Sequence, residues 1–168
     1  KGTDIKHRAW VALLYGAGLR VSELLSLRAS DIDSQRMVVH VRDTKSRYDR
    51  VVPLAPRMLH LLRIYWITRQ PQGVLLFPAP DGRSRLKRDT VSWAVRKSAR
   101  LAGIKKKVHP HLLRHTFATH LMELGTDIRT VQILLGHRSL ASTTRYVHLS
   151  AARWRTLISP IEVLNTEQ

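Results

Sequence analysis

The chain has no cysteine. Disulfide frameworks, thiolate-bound zinc and cysteine nucleophiles are therefore excluded, and the composition fits a reducing compartment, so a cytoplasmic location is expected. No stretch approaches the roughly 18 consecutive apolar residues of a membrane span, which predicts a soluble protein with no membrane partner. Acidic residues are scarce, 12 Asp and Glu against 29 Lys and Arg, and the formal net charge is +17. These 12 carboxylates are scattered, with no grouping of the kind a two-metal nuclease requires. The opening KGTDIKHRAW has neither an initiator Met nor a signal-peptide pattern and begins inside an amphipathic stretch. The expectation is a fragment, cut near Lys1 from a longer protein.

What remains is 168 residues, 43% of them hydrophobic, enough for one ordinary domain around a single core. A positive surplus of this size repels itself unless a polyanion neutralises it, so nucleic acid is the leading partner. Charge alone leaves a plain cationic binder and a nucleic-acid enzyme equally open.

Hydrophobic spacing organises the chain. Ala9, Trp10, Leu13 and Leu14 recur at helical intervals from His7 to Tyr15, and the glycines of YGAGLR end that helix. A second helix follows, with Val21, Leu24, Leu25 and Leu27 on its buried face and Arg20 and Glu23 sharing a side near its start. DIDSQR reads as a turn. The β-branched runs MVVHV and RVVPL flank RDTKSRYD, predicting a hairpin with Lys45 at its tip. Helices are expected from Pro56 to QPQG, from Arg88 to Ala102, and from Pro110 to Gly125 with Leu113, Phe117, Leu121 and Leu124 inward. VLLFP reads as a short strand or extended segment and APDGRS as a turn. TDIRTVQILLG makes a further helix capped by Thr126 and stopped by Gly136, with Val131, Leu134 and Leu135 buried. SLASTTRYVHLS supplies another, bearing Tyr146, and Pro160 stops the next. The expected fold is α+β, mostly helical, with a small antiparallel sheet.

Cleaving a phosphodiester without a metal needs a nucleophile, cations on the non-bridging oxygens and an acid for the leaving oxygen. Arginine forks match two phosphate oxygens, and a phenol can form a reversible covalent phosphoryl intermediate. The chain contains each ingredient. Read singly, each residue has a plainer role: Tyr146 as a half-buried core residue, Arg20 and Glu23 as a surface ion pair worth about 0.3 kcal/mol. Against the second, a basic residue at a helix start opposes the macrodipole.

Three motifs, in this order, resemble the C-terminal catalytic domain of the tyrosine recombinases, or phage-type integrases: GLRVSELLSL, HPHLLRHTFATH and LLGHRSLASTTRYVHL. The resemblance covers nearly the whole chain and implies that residues 1–168 are that domain, without the helical DNA-binding domain that usually precedes it. It implies Arg20 and Arg114 as phosphate clamps, Tyr146 as nucleophile, His111 and His137 as donors or proton handlers, and Glu23 as a supporting carboxylate. Lys45 would be the acid. Here the chain departs from the family's frequent Gly-Lys-Gly loop, and Arg42, Arg47 and Arg50 are nearby rivals. Lys45 is the only lysine between the two strand runs, and an ammonium gives up a proton where a guanidinium rarely does.

The resemblance also implies site-specific recombination of double-stranded DNA by a tetramer assembled on it from subunits that are monomeric in isolation, with no cofactor. Arg47, Lys105, Lys106 and Lys107 are candidate DNA contacts, against the plainer reading of a solvated loop. His111 and His115 stand four apart as metal ligands do, but no Cys or carboxylate nearby completes a set, so no metal site is expected. His115 and His120 read as structural, and His109 stays open. The rival functions are a non-catalytic helix-turn-helix binder, a type IB topoisomerase-like enzyme and a metal-dependent nuclease.

Overall fold

The computed structural model describes residues 4–42 and 49–136. Among these, helices α1 (Ile5–Gly16) and α2 (Val21–Ser26) lead into a short 3-10 turn at Ala29–Asp31, then strands β1 (Ile32–Asp33), β2 (Val38–Val41) and β3 (Arg50–Pro53). Helices α3 (Pro56–Arg69), α4 (Arg88–Leu101), α5 (Pro110–Glu123) and α6 (Ile128–Leu135) follow. The α+β, mostly helical expectation holds.

The sheet is antiparallel in the order β1-β2-β3. β1 was expected to be part of a turn; its two residues pair Ile32 with Val39 and Asp33 with Val38, a span too short to leave a period-2 signal in sequence. In β2 the inward positions are Val39 and Val41, and in β3 they are Val52 and Arg50, which face each other across the ladder as the pairs Val39–Val52 and Val41–Arg50. In the VLLFP segment Leu75 and Pro78 form isolated antiparallel bridges with Arg28 and Arg85, and Leu76 N donates to Leu27 O at 2.8 Å.

The main core forms around α1, whose Ala9, Trp10, Leu13 and Leu14 are buried against α3, α4 and α5. A second cluster of Phe117, Ala118, Met122, Val131 and Leu135 joins α5 to α6. Two details differ from the sequence pattern. Leu124, expected inside, is 83% exposed, because α5 ends one residue earlier and its period no longer applies. The cap of α6 is Asp127, not Thr126; its carboxylate accepts from Thr130 N at 2.9 Å. Asp127 stands at the half-in position whose side chain can reach that orphan amide.

Gly18, between α1 and α2, locks the two clusters together. It has φ +62, and a Cβ there would lie 2.4 Å from Cδ1 of Phe117. A left-handed L-residue costs roughly 1–2 kcal/mol and overpacking a comparable amount, so Gly18→Ala is expected to destabilise the protein by about 3 kcal/mol. Thermal denaturation checks this; an unchanged midpoint would contradict the packing described.

Candidate functional site

The first arginine motif starts α2 by an unusual device. Arg20 occupies the cap position, and its backbone N–H donates to Oε2 of Glu23 at 2.7 Å. Its side chain turns back to the same carboxylate, Nη1 to Oε1 at 2.8 Å. Glu23 in the first turn suits the helix dipole. It is no surface pair: the Glu23 side chain is 6% exposed.

Two further guanidinium groups converge there. Arg50, entering from β3, donates Nη1 to Oε1 at 2.7 Å and Nη2 to Oε2 at 2.9 Å. Arg114, entering from α5, places Nη1 3.8 Å from Oε2 and donates it to Gly18 O at 2.5 Å. Three cations thus surround one buried carboxylate.

The C-terminus of α6 completes the enclosure. Its last carbonyls have no partner within the helix, and three consecutive ones accept from the three arginines: Leu134 O from Arg50 Nε at 2.7 Å, Leu135 O from Arg114 Nη2, and Gly136 O from Arg20 Nη2 at 3.4 Å. The negative end of the helix dipole therefore meets the cations. Gly136 itself is left-handed at φ 61, which ends α6 with this carbonyl row turned toward the arginines.

Burial is the largest single influence on Glu23 and pushes its pKa up. The hydrogen bonds and charge of Arg50, the amide of Arg20 and the charge of Arg114 together outweigh it, holding the carboxyl below its ordinary value of 4.5. The group is therefore a carboxylate at neutral pH. Three positive charges against one negative leave the cluster cationic, and Arg20 keeps its side chain 39% exposed. An electropositive cluster with one accessible arginine fits an anion with several oxygens, such as a phosphate.

The structure thus brings Arg20, Glu23 and Arg114 together as the sequence motifs imply. His111 is exposed in the first turn of α5, one turn before Arg114. Lys45, Arg47, His137 and Tyr146 lie outside the described residues. Arg50, raised in sequence only as a rival acid, is instead a buried partner of Glu23, and Arg42 Nη2 lies 2.6 Å from Asp31 Oδ1. His109 caps α5, its Nδ1 accepting from Leu112 N at 3.2 Å. His120 Nδ1 is 2.8 Å from Tyr15 Oη on the surface. Among the described residues no group of three His, Cys, Asp or Glu gathers, so His111 and His115 have no third ligand there. No described helix is long and apolar enough to cross a membrane. Lys105, Lys106 and Lys107 are exposed and share a concave patch with Arg96, Arg100 and His109.

The model of the phage integrase family matches residues 1–153. The chain belongs to the phage integrase family. It is 46% identical over 161 residues to y4qK of Sinorhizobium fredii, named as an integrase/recombinase, covering 96% of the chain and 52% of that protein. It is 42% identical over 156 residues to the tyrosine recombinase XerA of Thermococcus onnurineus, covering 91% and 54%. This phage integrase family member therefore spans about half the length of the curated relatives it matches. Among solved structures, a XerA recombinase superposes with a TM-score of 0.80 at 39% identity over 90% of the chain and 56% of its own. XerH bound to a palindromic difH substrate in a post-cleavage complex gives a TM-score of 0.80 at 27% identity, over 90% and 44%. The matching folds are those of tyrosine recombinase catalytic domains.

Proposed function

We propose that residues 1–168 are the catalytic domain of a site-specific DNA recombinase that cleaves and rejoins strands through a 3′-phosphotyrosyl intermediate. The observation that carries this reading is the arginine cluster: Arg20 and Arg114 share one buried carboxylate and one row of helix carbonyls, so both guanidinium groups are oriented before any DNA arrives. Such preorganised cations stabilise charge developing on the non-bridging oxygens of a phosphate. A helix that only reads a DNA groove has no use for two arginines tethered around a buried glutamate. XerH, a relative by fold and sequence, is described in complex with its difH substrate before and after cleavage, and the net charge of +17 suits the same kind of ligand.

In this reading the phenolate of Tyr146 attacks the scissile phosphorus and forms the Tyr–phosphate bond as the bond to the 5′ oxygen breaks. Lys45 delivers the proton that leaves this oxygen as a hydroxyl. His111 and His137 donate to or exchange protons with the phosphate, and Glu23 holds the arginines. The phosphotyrosyl bond conserves the energy of the diester, so a 5′ hydroxyl from a second duplex can reverse the step and join new strands. Two such rounds in a tetramer of subunits on DNA complete an exchange, and the enzyme acts in the cytoplasm where that DNA lies.

A nicked suicide duplex tests the reading, because loss of a short 5′ fragment traps the covalent adduct. An adduct mapping to Tyr146, and its transfer to a second duplex, are expected. DNA retained without adduct would make the protein a binder, relaxation without transfer would make it a topoisomerase, and loss of cleavage in chelator would make it a metal-dependent nuclease.

Arg47, Lys105, Lys106 and Lys107 are proposed to lie along the DNA backbone. Affinity should fall linearly on a log-log plot against salt, with a slope near −0.9 per neutralised phosphate, and replacing Lys105, Lys106 and Lys107 by Ala should make that slope shallower by up to about 3. A slope unchanged in the triple variant would remove this loop from the DNA surface.

A further inference from the structure

Arg50 is charged, inward-facing and absent from the roles proposed above. Its side chain is 6% exposed, and burying a cation this thoroughly is costly unless its surroundings are arranged around it. They are. The Nη1 and Nη2 atoms meet the two oxygens of Glu23 as a fork on a fork, at 2.7 and 2.9 Å, and Nε meets Leu134 O at 2.7 Å. The main chain of α6 closes over the side chain: a Cβ on Gly136 would lie 3.1 Å from Nη1 and 3.2 Å from Cδ of Arg50.

This arrangement has a geometric effect on the exposed cation of the site. A carboxylate gripped at both oxygens by a planar fork has its plane set by that fork. Oε1 then lies between Arg50 Nη1 at 2.7 Å and Arg20 Nη1 at 2.8 Å, so the orientation imposed by Arg50 is passed directly to Arg20. The same side chain also anchors the first of the three carbonyls at the end of α6, whose third, Gly136 O, receives Arg20 Nη2. Arg50 thereby touches both supports of the Arg20 guanidinium, the carboxylate and the helix end, without making contact with Arg20 through a hydrogen bond of its own.

We propose that Arg50 is a positioning residue for strand cleavage: from β3 it fixes Glu23 and the end of α6 together, and so aims Arg20 at the scissile phosphate. It neither meets the phosphate nor carries a proton, which separates it from the acid role its position in the sequence left open. The inference rests on the recombinase reading above.

Arg50→Lys is the informative variant, since it keeps the charge and loses the planar fork; Arg50→Gln, neutral and shorter, is carried beside it in case the lysine disturbs folding. Four quantities are read on the purified protein: thermal midpoint, DNA retention, the single-turnover rate of adduct formation on the suicide duplex, and the titration of the Glu23 carboxyl carbon by NMR. The groups facing that carboxyl are Arg20 from the start of α2, Arg50 from β3 and Arg114 from α5. Expected for a folded variant are wild-type DNA retention, adduct formation slowed about 100-fold, the loss typical of reacting groups misplaced by about 1 Å, and a Glu23 midpoint raised toward the ordinary value. A residue that only supports the fold would lower the thermal midpoint and the active fraction while leaving the rate per active molecule intact. Adduct formation at the wild-type rate, or an unmoved Glu23 titration in either folded variant, overturns the proposal. Should wild-type protein form no adduct, the recombinase reading fails, and the Glu23 titration still decides whether Arg50 controls the carboxylate.

Discussion

Replacing Tyr146 with Phe is expected to abolish covalent attachment to DNA while leaving binding intact. The substitution removes one oxygen, the atom proposed to bond to phosphorus, and keeps the aromatic ring. The contacts proposed to hold DNA come from arginines and lysines elsewhere, so the binding curve and its salt slope should match those of the wild type. Cleavage should fall by every measurable order of magnitude, because no other nucleophile is assigned, and a denaturing gel of the suicide-substrate reaction should show no slower-migrating adduct. An adduct persisting at the same strand position in the Phe variant would mean that another residue attacks, and the proposed role of LLGHRSLASTTRYVHL would have to be given up.

The second large effect is expected at Glu23, and it concerns stability as much as activity. Glu23→Gln takes away the carboxylate charge that Arg20, Arg50 and Arg114 share. Removing one partner from a buried ionic cluster costs about 3–5 kcal/mol, and in a protein of this size that corresponds to a thermal midpoint lower by roughly 10 °C. The net charge of +17 adds to the loss. An amide keeps only one of the two acceptor oxygens that Arg20 uses, so one of these ties is lost and adduct formation should slow even in the molecules that remain folded. Scanning calorimetry and single-turnover cleavage measure the two consequences separately. A variant as stable as the wild type would mean that the carboxylate is not the keystone of the cluster.

The same residue sets an acid limit. The native carboxyl titrates below 4.5, held there by Arg50, Arg20 and Arg114 against the opposing effect of burial. A group depressed in the folded state contributes stability that is fully present above its unfolded value and is lost as pH falls through its folded value. Stability should therefore be flat with respect to Glu23 above about pH 5 and decline as pH drops below 4.5. In Glu23→Gln this part of the decline should be absent, which a series of melting curves from pH 3 to 7 would reveal by their difference.

Much of this was legible before any coordinates. The 3.6-residue spacing of Ala9, Trp10, Leu13 and Leu14 defines α1 because a helix buried on one face has no other way to distribute its apolar residues, and all four are buried. Proline at the start of α3 and α5 and glycine after α6 marked those ends through local backbone chemistry. The motif order pointed to the family, and the family model matches residues 1–153. Where the signal failed, it failed for definable reasons. Two residues of β1 are too few for alternation, and Leu124 kept a helical period that its helix no longer had.

Arg50 marks the boundary between the two sources of knowledge. The sequence offers Arg50 only as a rival acid; in the structure it shares the inward side of β3 with Val52, and a buried arginine demands an anion. Which anion it meets does not follow. Glu23 is 27 residues away, and Leu134 O is 84 residues away, so their meeting depends on how β3, α2 and α6 pack, a property of the whole core rather than of any local stretch. Composition, periodicity and motif order, all local or additive features, determined the charge, the helices and the chemistry this chain can offer. Only tertiary packing decided that one carboxylate and one helix end would hold three arginines, because long-range contacts are selected by the burial of surfaces that no short window of sequence contains.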